Sequence, residues 1–279
     1  MSGDVNLNAY FERIGFAGSI APTLATLEAL HALQPAAIPF ENFNSLVGVP
    51  VLLDQASLNR KLLAERRGGY CFELNLMFLR ILVELGFEAR GHLAGVLWGG
   101  HHEDRALAPD HALITVDIGG TTYLADVGFG GLLLTMPLKL RVGLEQETPL
   151  GTYRLTGEDP ALRLELKRHE EDWRPVYQFA LDVIDDATYA RINEGLNADP
   201  EWFFHHHLVV ERAAPSGRLM LFDTRLTSIA PDGTRETKTL PSVGEMRETL
   251  ATQFNMDLPA FDGLDTALGK ILTRSTVAG

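Results

Sequence analysis

The segment that most constrains the fold is the apolar run from residue 71 to residue 87, CFELNLMFLRILVELGF. Its polar residues Glu73, Arg80 and Glu84 are seven and four residues apart, so on a helix they lie along one narrow stripe. The pattern therefore predicts a helix that is buried on most of its sides. Gly86 supplies the stop at its C-terminal end.

In the rest of the chain, the sequence pattern changes from helical to β-type along its length. The first 87 residues read as helical, with Thr23 and Asp54 as N-caps of two further helices. From about Arg90, short β-type runs alternate with glycine-rich turns, and the chain ends in a segment rich in helix signals. Helices, then strands, then a mixed tail predict an α+β protein of up to three subdomains.

Composition excludes several classes of function. The 279 residues carry 24 basic and 37 acidic side chains, and a net charge of −13 argues against nucleic-acid or anionic-membrane partners. No run approaches the ~18 apolar residues that a membrane span needs, and residues 1–16 do not show the pattern that we would expect of a secretory leader. We therefore expect a cytoplasmic protein. The sequence does not determine the oligomeric state and is compatible with a homodimer.

Cys71 is the only cysteine, so the fold contains no intramolecular disulfide. A single cysteine is often just a small buried apolar residue. Here Gly68 and Gly69 permit a sharp bend before it, and the first turn of a helix favours a thiolate through its dipole and its N–H groups. The same N–H groups could stabilise an oxyanion. These surroundings favour a nucleophile.

A base and an orienting group for this thiol occur in the hairpin HALITVDIGGTTYLAD, residues 111–126. If DIGG is a four-residue loop, His111 lies directly across from Asp126, with Cβ atoms about 5 Å apart. A two-residue Gly-Gly loop would shift the register but keep both side chains on one face, whereas loops of three or five residues would separate them. Cys, His and Asp in this order predict nucleophilic catalysis.

Several motifs together resemble the arylamine N-acetyltransferase family. They are IPFEN at 38–42, RRGGYCFELN at 66–75, LGF at 85–87, HALITV at 111–116 and DVGFG at 126–130. The resemblance covers the first half of the chain and is loose in the last third. It implies a helical bundle over residues 1–87, a β-barrel over 88–195 and an α/β lid over 196–279. The first two parts would form a core like that of papain and the transglutaminases.

The resemblance also implies a function. The catalytic triad would be Cys71, His111 and Asp126, and an acetyl group would pass by a ping-pong mechanism from acetyl-CoA through Cys71 to an arylamine or arylhydrazine. Acetyl-CoA would be a co-substrate, with no bound cofactor and no metal. The positions that would line the acceptor pocket are Phe40, Val96, Phe129 and Phe204, with Phe203 as the alternative to Phe204.

Further residues have simpler interpretations. Glu41 and Arg67 are expected to form a structural ion pair, and the glycines at 128, 130 and 131 either let the backbone approach CoA or serve as turn residues. The histidines at 205–207 are predicted on a strand, where alternation disfavours a shared zinc. His31 has no partner that the sequence reveals.

Two other functions fit the same residues. A Cys-His-Asp hydrolase or a transglutaminase-like enzyme acting on amide bonds would use the same triad, because a triad alone does not define the reaction. A non-catalytic binding protein on the same fold is the third hypothesis. The motifs DVGFG and PFEN favour acetyl transfer over both.

Overall fold

The computed structural model describes residues 4–99, 109–168 and 172–277, which form nine α-helices, one π-helical turn and thirteen strands. The helices are α1 (Leu7–Ile14), α2 (Leu24–Ala37), α3 (Phe43–Val47), α4 (Gln55–Leu58), the π-helical turn (Asn59–Ala64), α5 (Cys71–Glu84), α6 (Asp186–Ala198), α7 (Phe203–His206), α8 (Val243–Gln253) and α9 (Leu264–Val277). The strands are β1 (Phe40–Glu41), β2 (Glu88–Val96), β3 (His111–Ile118), β4 (Thr121–Ala125), β5 (Leu138–Lys139), β6 (Gln146–Thr148), β7 (Gly151–Thr156), β8 (Leu162–Lys167), β9 (Arg174–Phe179), β10 (Val209–Ala214), β11 (Gly217–Phe222), β12 (Arg225–Ile229) and β13 (Arg235–Thr239).

The N-terminal helices form where their caps predict. The Thr23 hydroxyl accepts the N–H of Thr26 at the start of α2, and the Asp54 carboxylate accepts the N–H of Ser57 at the start of α4. Helix α5 begins at Cys71, and ten of its fourteen residues are buried. The predicted central helix and the α+β class are thus confirmed. No helix in the described ranges has the length and apolarity that crossing a bilayer would require.

Eight strands form a nearly closed barrel in the order β5-β4-β3-β2-β9-β8-β7-β6. Its two edges are joined through a side chain: the Gln146 amide accepts the N–H of Lys139 at 2.8 Å and donates to the carbonyl of Lys139 at 3.0 Å. Along β3, Leu113 faces the barrel interior, whereas Ala112 and Ile114 pack in the cluster that contains α5. The barrel therefore has two apolar faces.

A second, five-stranded sheet has the order β1-β10-β11-β12-β13, and helices α8 and α9 pack on one of its faces. Its edge strand β1 comes from the N-terminal part of the chain, with Phe40 paired to Glu211. The expectation that the first 87 residues are all helical is therefore wrong at Phe40–Glu41. This stretch is extended because it pairs on one side with β10 and on the other with Gly69.

The strand predicted to begin at His205 begins instead at Val209, because His205 and His206 lie in helix α7. The rings of Phe203 and His207, four residues apart, stack at 4.7 Å between centroids. This i,i+4 contact favours a helical turn where the sequence predicted a strand.

The ends of three secondary-structure elements meet at one end of the barrel. Strand β3 begins at His111 and its antiparallel neighbour β4 ends at Ala125, so the start of β3 and the end of β4 lie at the same end of the sheet. Helix α5, which packs on this sheet, begins at Cys71. The bend before it is held against β1, since Gly69 donates to the carbonyl of Pro39 at 3.2 Å.

We expect Gly68→Ala to destabilise the fold. A Cβ at Gly68 would lie 2.1 Å from the carbonyl oxygen of Pro39, and relieving such overpacking costs about 1–3 kcal/mol. The control is Gly195→Ala in α6, where a Cβ meets nothing within 4 Å and the free energy of unfolding should rise by about 0.5–1 kcal/mol. Urea unfolding of both variants tests this, and equal stability of the two would contradict it.

Candidate active site

Cys71 is the first residue of α5 and is only 4% exposed. Its thiol donates to the carbonyl of Asp110, with 3.7 Å between sulfur and oxygen. Asp110 is in turn fixed by its carboxylate, which accepts the N–H of Val96 at 2.8 Å. The sole thiol therefore lies beside the residue that precedes His111.

His111 and Asp126 form a direct pair, with 2.7 Å between Nε2 and Oδ2. The hairpin has the two-residue Gly119-Gly120 loop, with Ile118 opposite Thr121. The four-residue loop is thus wrong and the two side chains are not directly opposite. The pair forms because the ladder ends at Ala125 and Asp126 follows the strand, where its side chain reaches diagonally to His111.

The residues on either side of His111 both bond to the first turns of α5. Asp110 accepts from the Cys71 thiol, and the carbonyl of Ala112 accepts from the Asn75 amide at 2.6 Å. The His111 ring contacts two aromatic rings: Phe129 at 4.9 Å, edge to face, and Tyr177 at 5.2 Å. Nε2 is the ring nitrogen of His111 that Asp126 binds.

Asn75 holds the Asp126 segment from the helix side. Its amide donates to Asp126 Oδ1 at 2.9 Å, and its Oδ1 accepts the N–H of Val127 at 2.9 Å. The N–H of Gly128 also donates to Asp126 Oδ1, at 3.0 Å. Sequence reasoning missed Asn75, although its position four residues after Cys71 places both on one helix face.

Burial and hydrogen bonds shift the pKa values of Cys71 and Asp126 in opposite directions. Burial raises the pKa of the Cys71 thiol well above its ordinary value, and the charges of Asp110 and Asp126 add to this. The N–H groups of Ala112 and Phe72 oppose it only in part. For Asp126, burial is outweighed by His111, Asn75 and Gly128, which together lower its pKa. The helix N-terminus therefore does not bring the pKa of Cys71 below its ordinary value.

A buried network of four charges supports the loop before Cys71. Arg67 donates to Glu41 Oε1 at 2.6 Å, which confirms the predicted ion pair, and Lys61 donates to both oxygens of Glu73 at 2.7 and 2.8 Å. Lys61 also lies 3.5 Å from Glu41, which joins the two pairs. The Glu73 carboxylate accepts the N–H of Tyr70, next to Cys71. The two positive and two negative charges of this network therefore compensate each other.

The same network separates the pKa values of its two acids. Burial would raise the pKa of Glu41, but Arg67 and Lys61 outweigh it and the pKa is lowered. At Glu73, burial and the charge of Glu41 outweigh Lys61, and the pKa is raised.

The four residues predicted to line an acceptor pocket lie in two groups. Phe40 and Phe204 face each other at 5.7 Å, and Tyr70 lies 6.1 Å from Phe204. Phe129 contacts His111, and Val96 is held by Asp110. Phe203 is 36% exposed and stacks on His207, which favours Phe204 over Phe203 as the inward-facing ring.

The glycines of the DVGFG segment are explained by packing. A Cβ at Gly128 would lie 3.0 Å from the Cα of Cys71, and a Cβ at Gly130 would lie 2.6 Å from the Phe40 ring. Gly131 has φ +95°, a turn conformation that favours glycine. Close packing therefore accounts for Gly128 and Gly130, and the turn interpretation accounts for Gly131. The loop passes against both the thiol residue and the aromatic pair.

In residues 4–99, 109–168 and 172–277, no group of three His, Cys, Asp or Glu side chains gathers as metal ligands do. His206 bonds to the carbonyl of Pro200 at 2.8 Å, and His207 bonds to the Asp223 carboxylate at 2.8 Å. Each of these two histidines therefore has a hydrogen-bond partner of its own.

Comparison with known proteins identifies the class of this site. The model of a family described as N-acetyltransferase matches residues 23–262. An enzyme from Salmonella typhimurium, named arylamine N-acetyltransferase / N-hydroxyarylamine O-acetyltransferase, is 37% identical over 90% of this chain and 88% of its own length. The fold and the match together define an acyltransferase.

Solved structures agree with this class. Arylamine N-acetyltransferase from Mycolicibacterium (M.) smegmatis superposes with a TM-score of 0.89 at 32% identity, covering 96% of this chain and 98% of that one. The enzyme from Mycobacterium marinum in complex with CoA gives 0.83 at 31% identity, covering 96% and 98%. The chain belongs to the arylamine N-acetyltransferase family.

We expect Lys61→Met to destabilise the protein by about 3–5 kcal/mol, because removal of one partner leaves a buried charge uncompensated. The neighbouring Arg60→Met is the matched control: Arg60 pairs with Glu65 at 3.6 Å on the surface, and both are largely exposed. Its loss should change the free energy of unfolding by less than about 0.5–1 kcal/mol. Urea unfolding compares the two, and an equal, small loss would mean that the network adds little.

Proposed function

We propose that this protein transfers an acetyl group from acetyl-CoA to an arylamine, arylhydrazine or N-hydroxyarylamine by a ping-pong mechanism, with Cys71 as nucleophile. The observation that carries the proposal is the buried His111–Asp126 pair beside the only thiol of a chain in this family. The high pKa of that thiol supports a mechanism in which a base removes its proton as it attacks.

In the first half-reaction, His111 Nδ1 accepts the thiol proton while Sγ attacks the thioester carbonyl of acetyl-CoA. The tetrahedral intermediate collapses with loss of the CoA sulfur, which takes the proton back from the imidazolium. Cys71 is left as an acetyl thioester. N–H groups at the start of α5 stabilise the oxyanion of the intermediate.

In the second half-reaction, the amine nitrogen attacks the acetyl carbonyl of the thioester. His111 accepts the proton that the nitrogen loses, and it returns a proton to Sγ as the carbon–sulfur bond breaks. Asp126 fixes the tautomer of His111 and stabilises its imidazolium form in both halves. The low pKa of Asp126 supports this role, since the carboxylate stays ionised at neutral pH.

The acceptor ring is proposed to bind against Phe129, with Phe40, Phe204 and Val96 completing the pocket. Phe129 is the best supported, because its ring touches the imidazole that must receive the amine proton. An aromatic wall suits an aromatic amine through stacking and edge contacts. The donor assignment is supported by the Mycobacterium marinum relative, which was solved with CoA.

We also propose that the enzyme works in the cytoplasm, where glutathione and thioredoxin keep a free thiol reduced. A homodimer stays a prediction, which sedimentation at several protein concentrations tests.

We expect one acetyl group to add to the protein when it is mixed with acetyl-CoA without amine. Intact-mass spectrometry reads the adduct, which should be absent in Cys71→Ala and should disappear when an arylamine is added. An adduct that persists in Cys71→Ala would remove Cys71 from the mechanism.

A second function, hydrolysis or transamidation of amide bonds, would be favoured by a different outcome. In that case the thiol would react rapidly with iodoacetamide yet acquire no acetyl group from acetyl-CoA. Peptide and glutamine amides would then be the substrates to assay.

We expect Asp126→Asn to lower kcat by about 10³–10⁴-fold, because the wrong histidine tautomer is favoured. Asp117→Asn, in the same hairpin, is the control. Its carboxylate pairs with Arg90 at the surface, 2.5 Å away, so activity should be retained. Steady-state rates with an arylamine decide the matter, and a comparable loss in both variants would point to general damage to the hairpin.

A further inference from the structure

The backbone N–H of Asp126 lies where the sheet no longer provides a partner. The β3–β4 ladder ends at the pair Ile114 and Ala125, and Asp126 itself is fully buried. A buried N–H without a partner costs about as much as a lost hydrogen bond. Here the N–H donates to Nε2 of His31, at 3.1 Å. His31 comes from helix α2, far away in the sequence.

The bond defines the state of the His31 ring. An Nε2 that accepts a hydrogen bond carries no proton, so the neutral ring has its proton on Nδ1. Nδ1 has no hydrogen-bond partner among the residues that the structure describes, and the ring is 0% exposed. The fold thus leaves one polar atom of His31 unsatisfied while it uses the other on Asp126. Such an exception among buried polar groups calls for an explanation.

We propose that His31 is a positioning residue of the transferase reaction: its Nε2 fixes the peptide from which the Asp126 carboxylate reaches His111. The proposal rests on the proposed catalytic role of Asp126. His31 touches neither substrate nor sulfur in it, and acts only through Asp126.

The geometry explains why the peptide has to be fixed. The carboxylate of Asp126 is divided between two sides, with Oδ2 on His111 and Oδ1 on Asn75 and Gly128. A turn of the Asp126 peptide would move all three bonds together. Asn75 holds the segment at the side chain and His31 holds it at the backbone, so the carboxylate is oriented from two points.

The environment of the ring suits a permanent acceptor. Burial lowers the pKa of His31 to about 4, although the charge of Asp126 acts in the opposite direction. The Nε2 lone pair is therefore available throughout the neutral range. The ring also packs edge to face on Phe78 at 5.8 Å, which holds its orientation.

Three substitutions separate the hydrogen bond from the packing. His31→Gln places an amide oxygen at about the reach of Nε2 and keeps the acceptor. His31→Met fills the space without an acceptor, and His31→Asn has an acceptor that is too short to reach. We expect Gln to retain kcat/KM within about threefold, and Met and Asn to lose roughly 10- to 100-fold, since a 1 Å misplacement can cost 10².

The decisive readout is the pH dependence of Cys71 alkylation by iodoacetamide. A misplaced Asp126 stabilises the His111 imidazolium less, so the thiolate forms at higher pH. We expect the alkylation midpoint to move upward in the Met and Asn variants and to stay near the wild-type value in Gln. Thermal unfolding is measured alongside, because a purely structural histidine would lower Tm without moving the midpoint.

The outcomes are distinct. Unchanged midpoints in Met and Asn, or equal losses of activity in all three variants, would overturn the positioning role. If Met does not fold, the comparison of Gln with Asn decides in the same way. Alkylation needs no acetyl-CoA, so the test of His31 stands even if the wild-type protein forms no acetyl adduct, a result that would count against the proposed function instead.

Discussion

The active-site arrangement depends on one side-chain amide, that of Asn75. It joins helix α5 to strand β3 through Ala112 and to the segment after β4 through Asp126 and Val127. Apolar contacts between a helix and a barrel are non-directional and leave some freedom in their relative position. Directional bonds at a buried amide remove that freedom. The apolar packing of α5 supplies the stability, and Asn75 supplies the alignment.

The region before Cys71 is also fixed by directional interactions, here between charged groups. Lys61, Arg67, Glu41 and Glu73 bring four ionised groups out of water, which adds less stability than apolar residues of the same size often would. What they add is a defined path for the chain: Glu73 holds the N–H of Tyr70, and Glu41 holds the N–H of Phe43. The bend that presents Cys71 is thereby fixed by groups that have a single good arrangement.

Sequence patterns predicted the parts of the site that are local. The helix beginning at Cys71 follows from its apolar pattern, and the pairing of His111 with Asp126 follows from one hairpin. The loop length was ambiguous because Gly119 and Gly120 suit both two- and four-residue loops, and only pairing of the whole strand decided it. His31 could not be found in this way, since its bond to Asp126 joins elements that tertiary packing alone brings together. The same is true of β1, whose two residues are extended only because β10 lies beside them.

That pairing has a consequence for how the protein is made on the ribosome. Strand β1 lies next to the bend that presents Cys71, and its partner β10 is more than 160 residues further along the chain. Glu211 of β10 also accepts the N–H groups of Gly131 and Leu133, just after the loop that covers Cys71. A nascent chain that has exposed only the helices and the barrel lacks both supports. Cys71 is therefore translated early, but its surroundings are completed only when the last third of the polypeptide has emerged.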